Sequence, residues 1–279
     1  MLKEVLRKAS NNGMPDEEKM EKIVQILAQM DELMDCEKNG DAARFERSRK
    51  EFVSKFVQLY MPNATPEEIE AFELQFSFSL SAEDIMNKTM REIVGYDGPV
   101  NPNDADGLID KKVGRGTIGC TGTAKLFCAL AKKAGLNCSV VLTADYNSWN
   151  AAKQSEDPDK VISGHQLIAV EMSDGMHIFD PGYKEENVTY GAGYVEERQT
   201  KFKDLGSAEV GDFVDMPRMK NHFVTAILTP EEFEKVDSYD KLGNLYKSGN
   251  MDNPNFEIGP KGKAPSNNML IQYTTEQYE

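Results

Sequence analysis

The chain has 279 residues, of which 39% are hydrophobic, and its 32 basic and 47 acidic side chains give a formal net charge of −15. A chain of this length can bury a sizeable core, and its acidic surface repels phosphate backbones and anionic lipid, which argues against nucleic acid and membranes as partners. No apolar run is long enough to span a bilayer, and the N-terminus lacks the apolar stretch of a secretory signal. We therefore expect a cytoplasmic location, with signal-less export as an effector left open.

Four cysteines are present, and none of them forms a C-x-x-C pair: Cys36, Cys120, Cys128 and Cys138. Their spacing indicates neither a disulfide framework nor a structural zinc site, and no acidic cluster has the spacing of a calcium loop. We therefore expect free thiols in a reducing compartment, no metal and no cofactor.

The first hundred residues are predicted to be mainly helical. A first helix over 15–35 starts with acidic residues, which suit the positive end of a helix dipole, and Gly40 ends it. Asp41 caps a second helix, which Pro62 ends. These features predict a helical N-terminal region over residues 1–64.

Two signals conflict in the next segment. The sequence from Thr65 to Glu68 is a capping box with Pro66 at the first helical position, which predicts a helix. Apolar residues then alternate as they do in a strand, at Phe72, Leu74, Phe76, Phe78 and Leu80. The prediction is a short helix that passes into an extended segment, followed by another helix capped by Ser81.

A long loop over 95–119 leads to Cys120, which stands at the start of the next predicted helix, and Gly135 ends that helix. Strands are predicted at 137–143, 165–172, 176–180 and 222–228. Residues 145–160 are predicted to be a polar loop. The hairpin turn is placed at Asp174-Gly175, because Asp-Gly is a strong turn signal.

These elements predict an α+β fold in which the helix that carries Cys120 packs on an antiparallel sheet. The helical N-terminal region of 1–64 precedes a core over 65–237. Asn, Pro, Gly and Lys dominate the end of the chain, so residues 238–279 are predicted to be a loosely structured tail.

Three residues in this core form a pattern that builds an activated nucleophile. Cys120 has a helix N-terminus to lower the pKa of its thiol, His165 stands at a strand start to accept the proton, and Asp180 closes the next strand to orient the imidazole. Each residue alone is more often structural, but their order and local settings together indicate catalysis. His177 is the competing base, although strand alternation turns it away from Asp180.

The predicted register leaves a geometric conflict. A two-residue turn at Asp174-Gly175 pairs Asp180 with Ala169, so His165 lies about 13 Å further along the strand at about 3.3 Å per residue. A bulge or a different turn must shift the register if Asp180 is to reach His165.

The segment from about Gly114 to Tyr183 resembles the transglutaminase-like superfamily, a branch of the papain-like cysteine enzymes. The resemblance is carried by a Gly directly before Cys120, a helix ending in Ala-Gly-Leu, a strand that reads Gly-His-x-x-x-x-Val, and an Asp-Pro step at residue 180. It implies a transglutaminase-like core with Cys120 as nucleophile, His165 as base and Asp180 as orienter. Members of this superfamily transfer amines to glutamine, hydrolyse peptides, deamidate glutamine, or have no activity.

Some residues depart from that family pattern. No Gln lies shortly before Cys120 to donate to an oxyanion, and Gln166 stands where a Trp often follows the catalytic His. The one tryptophan, Trp149, lies upstream and is expected to line the cleft. The candidate substrate or oxyanion residues are Gly119, Thr121, Trp149 and Gln166.

The sequence therefore predicts a cysteine hydrolase, a protease or amidase that acts on a protein or peptide through a thioester. Two alternatives stay open. One is a protein-glutamine acyltransferase or deamidase, and the other is a non-catalytic binding module on the same fold.

Overall fold

A computed structural model describes residues 13–77, 81–89, 120–157, 160–180, 205, 208–214, 221–236 and 238–262. These residues form an α+β fold of eight helices and one antiparallel four-stranded sheet. The helices are α1 (Asp16–Asn39), α2 (Ala42–Tyr60), α3 (Pro66–Ser77), α4 (Ala82–Asn87), α5 (Cys120–Lys133), α6 (Tyr146–Gln154), α7 (Pro230–Phe233) and α8 (Tyr239–Ser248). The strands are β1 (Cys138–Asp145), β2 (Gly164–Met172), β3 (Gly175–Phe179) and β4 (His222–Leu228). No described helix has the length and apolar character that a membrane crossing requires.

The predicted stop of the first helix at Gly40 and the predicted cap of the second at Asp41 are confirmed, although α1 continues to Asn39, beyond the predicted residue 35. Gly40 ends α1 with a left-handed φ of 68°, a conformation that costs glycine little, and the Asp41 side chain accepts a hydrogen bond from the Arg44 N–H to start α2. The Tyr60 hydroxyl at the end of α2 donates to the Leu130 carbonyl of α5 over 2.7 Å. The N-terminal helices therefore share a buried core with the helix that carries Cys120.

The prediction of an extended segment after Thr65 was wrong for the described residues. The capping box forms, and α3 then continues to Ser77. Phe72 and Phe76 lie one helical turn apart and are both buried, whereas Leu74 between them is 59% exposed. The two phenylalanines pack on aromatic rings of α2, so helical packing outweighs the strand-like alternation. Residues 78–80 lie outside the described part of the chain.

The strands of the sheet lie in the order β3-β2-β1-β4. The hairpin of β2 and β3 was predicted, but its turn was placed one residue too late, which shifts the strand register by two residues. Met172 pairs with Gly175, so Ser173 and Asp174 form the turn. Continued by one residue, this register sets Asp180 opposite Leu167 instead of Ala169. The observed turn therefore brings Asp180 two residues nearer to His165, which resolves the conflict in the predicted register.

The two faces of the sheet have different partners. Val140 and Ile168 belong to the large core that includes α1, α2 and α5, while Val141 and Leu167 belong to a smaller cluster on the other face. Because α5 packs on β1 and β2, its N-terminus comes to lie beside the start of β2. The first residue of α5 and the second residue of β2 therefore meet.

Two predictions of irregular structure are corrected. The predicted polar loop of 145–160 contains α6, which Asp145 caps by accepting the Ser148 N–H. The predicted loose tail contains α8, which buries Leu245 and Tyr246 and packs on β1 and β4. In both segments a few well-spaced apolar residues suffice to fix a helix despite a polar composition. Residues 263–279 lie outside the described part.

Candidate active site

Cys120 occupies the first position of α5, where backbone N–H groups have no partners within the helix. Its sulfur accepts hydrogen bonds from the backbone N–H groups of Gln166 and Thr121 and from the His165 ring. Burial raises the pKa of the thiol, but the hydrogen bond and charge of His165, together with the two N–H groups, outweigh it and lower the pKa below its usual value. The pKa of Cys120 is therefore lowered, whereas those of Cys36 and Cys128 are raised, so its surroundings favour the thiolate.

His165 lies between this sulfur and a carboxylate. Its Nε2 is 3.3 Å from Oδ1 of Asp180, which leaves Nδ1 as the ring nitrogen for the Cys120 thiol. Burial lowers the pKa of His165, but hydrogen bonds to Asp180 and Cys120 outweigh it and raise the pKa to about 9. The lowered pKa of the thiol and the raised pKa of the imidazole both favour a thiolate–imidazolium pair.

The structure thus brings together the three residues that the sequence singled out. Both His165 and Asp180 are largely buried, with side-chain exposures of 12% and 14%, so bulk water screens their interaction little. Asp180 follows the last residue of β3, and the register fixed by the two-residue turn determines how close it comes to His165.

The competing base lies elsewhere. His177 pairs in β3 with Val170, and its Nε2 is 2.9 Å from Oδ1 of Asp174 in the hairpin turn. Its ring stacks on Phe179. His177 is therefore at the turn end of the hairpin, and the ring that contacts the Cys120 sulfur is that of His165.

Gln166 supports the site with its side chain as well as with its backbone. Its Oε1 accepts a hydrogen bond from Thr121 Oγ1 over 3.3 Å, and its Nε2 donates to the Tyr246 hydroxyl of α8. The side chain is buried, with 1% of the residue exposed. Gln166 was a candidate substrate or oxyanion residue, and its side-chain amide already binds protein groups at both ends.

The other candidate residues have different outcomes. Thr121 lies beside Cys120 with its hydroxyl on Gln166. Trp149 was expected to line the cleft, but its indole is buried against Phe223 and its Nε1 donates to the Lys247 carbonyl. It is a core residue because α6 is a helix that packs on the sheet. Gly119 lies outside the described residues.

A second buried histidine stands close to the first. His222 Nδ1 is 3.1 Å from Thr143 Oγ1, and the same hydroxyl donates to the His165 carbonyl over 3.1 Å. Because the hydroxyl has a single proton, His222 is the donor in its own contact and carries its proton on Nδ1. Burial and, to a lesser extent, the charge of His165 lower the pKa of His222 to about 4, although the Asp145 charge opposes this. His222 is therefore a neutral residue that fixes the backbone of β2.

Sequence reasoning missed Thr143, Tyr246 and the support role of His222. Thr143 fits the β-branched pattern of its strand and gave no sign of its polar contacts. Tyr246 lies in a segment whose composition predicted a tail. Strand pairing was the one available signal, and it concerns Thr143 alone, which pairs with His165 in β1–β2.

Within the described ranges, no group of three or more His, Cys, Asp or Glu side chains is arranged to hold a metal ion. Comparisons of the chain with protein-family models, with curated proteins and with solved structures find no match. Functional inference therefore depends on the chemistry of the site.

Proposed function

We propose that this protein is a cysteine hydrolase with a transglutaminase-like core, which cleaves an amide of a peptide or protein through a thioester on Cys120. The observation that supports this proposal most strongly is the contact of one buried imidazole with both a thiol at a helix N-terminus and a carboxylate. Nucleophile, base and orienter in this arrangement make cysteine reactive near neutral pH.

The first half of the reaction forms the thioester. The Cys120 thiolate attacks the amide carbon, and the carbonyl oxygen takes up negative charge in the tetrahedral intermediate. The backbone N–H of Cys120, at the unpaired start of α5, is the proposed oxyanion donor. The His165 imidazolium then protonates the leaving nitrogen, so that an amine or ammonia departs and the acyl group stays on sulfur.

The second half releases the acyl group. Neutral His165 takes a proton from water, the resulting hydroxide attacks the thioester carbon, and Cys120 leaves as the thiolate while the proton stays on His165. The products are a carboxylic acid, which releases its proton to solvent, and the resting thiolate–imidazolium pair. Asp180 keeps the ring oriented in both halves through its contact with Nε2. Water is the proposed acceptor because it needs no further binding site, whereas transfer to an amine needs one.

A substrate panel tests this proposal. Peptides that contain glutamine and lysine are incubated with the wild type and with Cys120→Ala, and three products are measured: new free amines, ammonia, and incorporation of an added primary amine. Hydrolysis predicts free amines or ammonia without amine incorporation, and no product from Cys120→Ala. Incorporation of the amine would instead identify an acyltransferase.

Two further results bear on the chemistry. We expect EDTA to leave turnover unchanged, because the proposed steps use only protein groups and water. Full turnover in Cys120→Ala, or a complete loss with EDTA that added metal restores, would contradict the proposal. Absence of all three products from a folded wild-type protein on a broad peptide library would favour a binding module.

A further inference from the structure

The C-terminal helix reaches the proposed active site through one side chain. Tyr246 of α8 is buried, with 6% of the residue exposed, and its hydroxyl oxygen accepts a hydrogen bond from Nε2 of Gln166. Burial, and next the negative charge on Cys120, raise the pKa of Tyr246, so the phenol stays neutral and lies within electrostatic range of the sulfur. Tyr246 is therefore close to the nucleophile although it lies far from it in sequence.

The contacts of Gln166 link Tyr246 to Cys120. One end of the Gln166 amide binds Tyr246 and the other binds Thr121, the residue that follows Cys120 on α5. The backbone N–H of the same glutamine donates to the Cys120 sulfur. A buried amide with both ends bonded has one favourable orientation, because turning it leaves polar groups unpaired.

The backbone next to the catalytic histidine makes room for the tyrosine ring. A Cβ placed on Gly164 would overlap the ring atoms of Tyr246. Gly164 directly precedes His165 in β2 and pairs with Ala144 of β1. Any side chain at position 164 would therefore displace the ring from Gln166, so the glycine permits the contact.

We propose that Tyr246 is a positioning residue that holds Gln166 against Cys120, so that the Gln166 backbone N–H stays directed at the sulfur. The proposal deepens the proposed function, on which it rests, since it assumes that the Cys120 thiolate is the nucleophile. It gives α8 a part in the site: without the phenol, the buried Gln166 side-chain amide loses its acceptor and is free to turn away from Thr121. The Gln166 backbone N–H is then aligned with the Cys120 sulfur by strand pairing alone, and its hydrogen bond to the thiolate weakens.

Four variants test the proposal by the pH dependence of Cys120 alkylation. Tyr246→Phe removes only the hydroxyl, and Gln166→Met removes the amide while keeping the length of the side chain. Tyr60→Phe is the matched control, because it removes a buried hydroxyl that binds the opposite end of α5. The fourth variant combines Tyr246→Phe with Gln166→Met. The rate of reaction with iodoacetamide is followed by mass spectrometry of the Cys120 peptide from pH 4.5 to 10.

We expect Tyr246→Phe and Gln166→Met each to raise the apparent pKa of Cys120 by about one unit, which slows alkylation about tenfold at pH values below the wild-type pKa. Tyr60→Phe is expected to destabilise the fold without shifting the titration. The double variant is expected to shift the pKa no more than either single variant, because both act through one contact. Circular dichroism checks that each variant folds. If Tyr246→Phe does not fold, the titration of Gln166→Met tests the positioning role instead.

The opposing outcomes are distinguishable. If the wild type shows a lowered pKa and both variants titrate like Tyr60→Phe, the positioning role is overturned while the proposed function stands. Additive shifts in the double variant would also overturn it, because Tyr246 would then act independently of Gln166. If Cys120 titrates as an ordinary thiol in the wild type, the proposed nucleophile and the positioning role both fail.

Discussion

The starts of β2 and β4 each carry a histidine, with His165 largely buried and His222 buried, and the pKa values of the two differ in direction. His165 in β2 contacts a carboxylate and a thiol, and its pKa rises to about 9. His222 in β4 contacts the Thr143 hydroxyl, and its pKa falls to about 4. Burial favours the neutral form of both rings, so the charged partners of His165 account for the difference. Strand position and burial alone do not identify a catalytic base.

The largest expected difference between the two histidines is in turnover. In the proposed mechanism His165 accepts the thiol proton and protonates the leaving nitrogen, so we expect His165→Ala to lose about 10²- to 10⁴-fold in kcat/KM. His222→Asn keeps a donor toward Thr143 and should retain most of the activity. Initial rates of amine or ammonia release measure both. Equal losses in the two variants would show that His165 has no special part.

A smaller effect is expected when the charged partner of His165 is neutralised. Asp180→Asn removes the carboxylate that raises the pKa of His165, so that pKa should fall from about 9. In the proposed mechanism the imidazolium protonates the leaving group, so the alkaline limb of the pH–rate profile should move to lower pH. We expect this variant to keep more activity than His165→Ala, because it retains the base. An unmoved alkaline limb would separate Asp180 from the titration of His165.

The third prediction concerns stability in acid. The pKa of His222 is lowered in the folded protein, so between pH 6.5 and about 4 the unfolded chain binds a proton that the folded protein does not. Stability from this group is therefore complete above pH 6.5 and is lost as the pH falls through about 4. The full loss is about 3 kcal/mol in the free energy of unfolding, at 1.36 kcal/mol per pKa unit.

Urea unfolding at pH 7 and pH 4.5 measures this effect. His222→Asn cannot titrate, so its free energy of unfolding should fall less than that of the wild type between the two pH values. The carboxylates are the same in both proteins. The difference between the wild type and the variant in how far the free energy of unfolding falls therefore isolates His222. An equal fall in the free energy of unfolding in the wild type and the variant would contradict a buried neutral His222.

Local patterns predicted those parts of the molecule that local chemistry determines. The caps at Asp41, Thr65 and Ser81 were recognisable because a side chain binds a backbone group three residues away. The hairpin was predicted but not its register, since both Ser173-Asp174 and Asp174-Gly175 are acceptable turns and only packing chooses between them. Helices α3 and α6 were misjudged because tertiary contacts of Phe76 and Trp149 decided their structure.

The candidate site divides in the same way. Cys120, His165 and Asp180 carry recognisable local settings, so sequence alone selected them. Tyr246 was not predictable, because its contact with Gln166 depends on how α8 packs on the sheet. Residues that act by contact across elements leave no periodic signal in a single sequence.

Competitive alkylation of the four cysteines tests the central claim, an activated thiolate at Cys120, most directly. The native protein is treated with limiting iodoacetamide at mildly acidic pH, and each cysteine peptide is quantified by mass spectrometry. Burial raises the pKa of Cys36 to about 11. A hydrogen bond with Cys138, together with burial, raises the pKa of Cys128. The account predicts that Cys120 is labelled well before the other three. Equal labelling of all four cysteines, or faster labelling of Cys36, would contradict it.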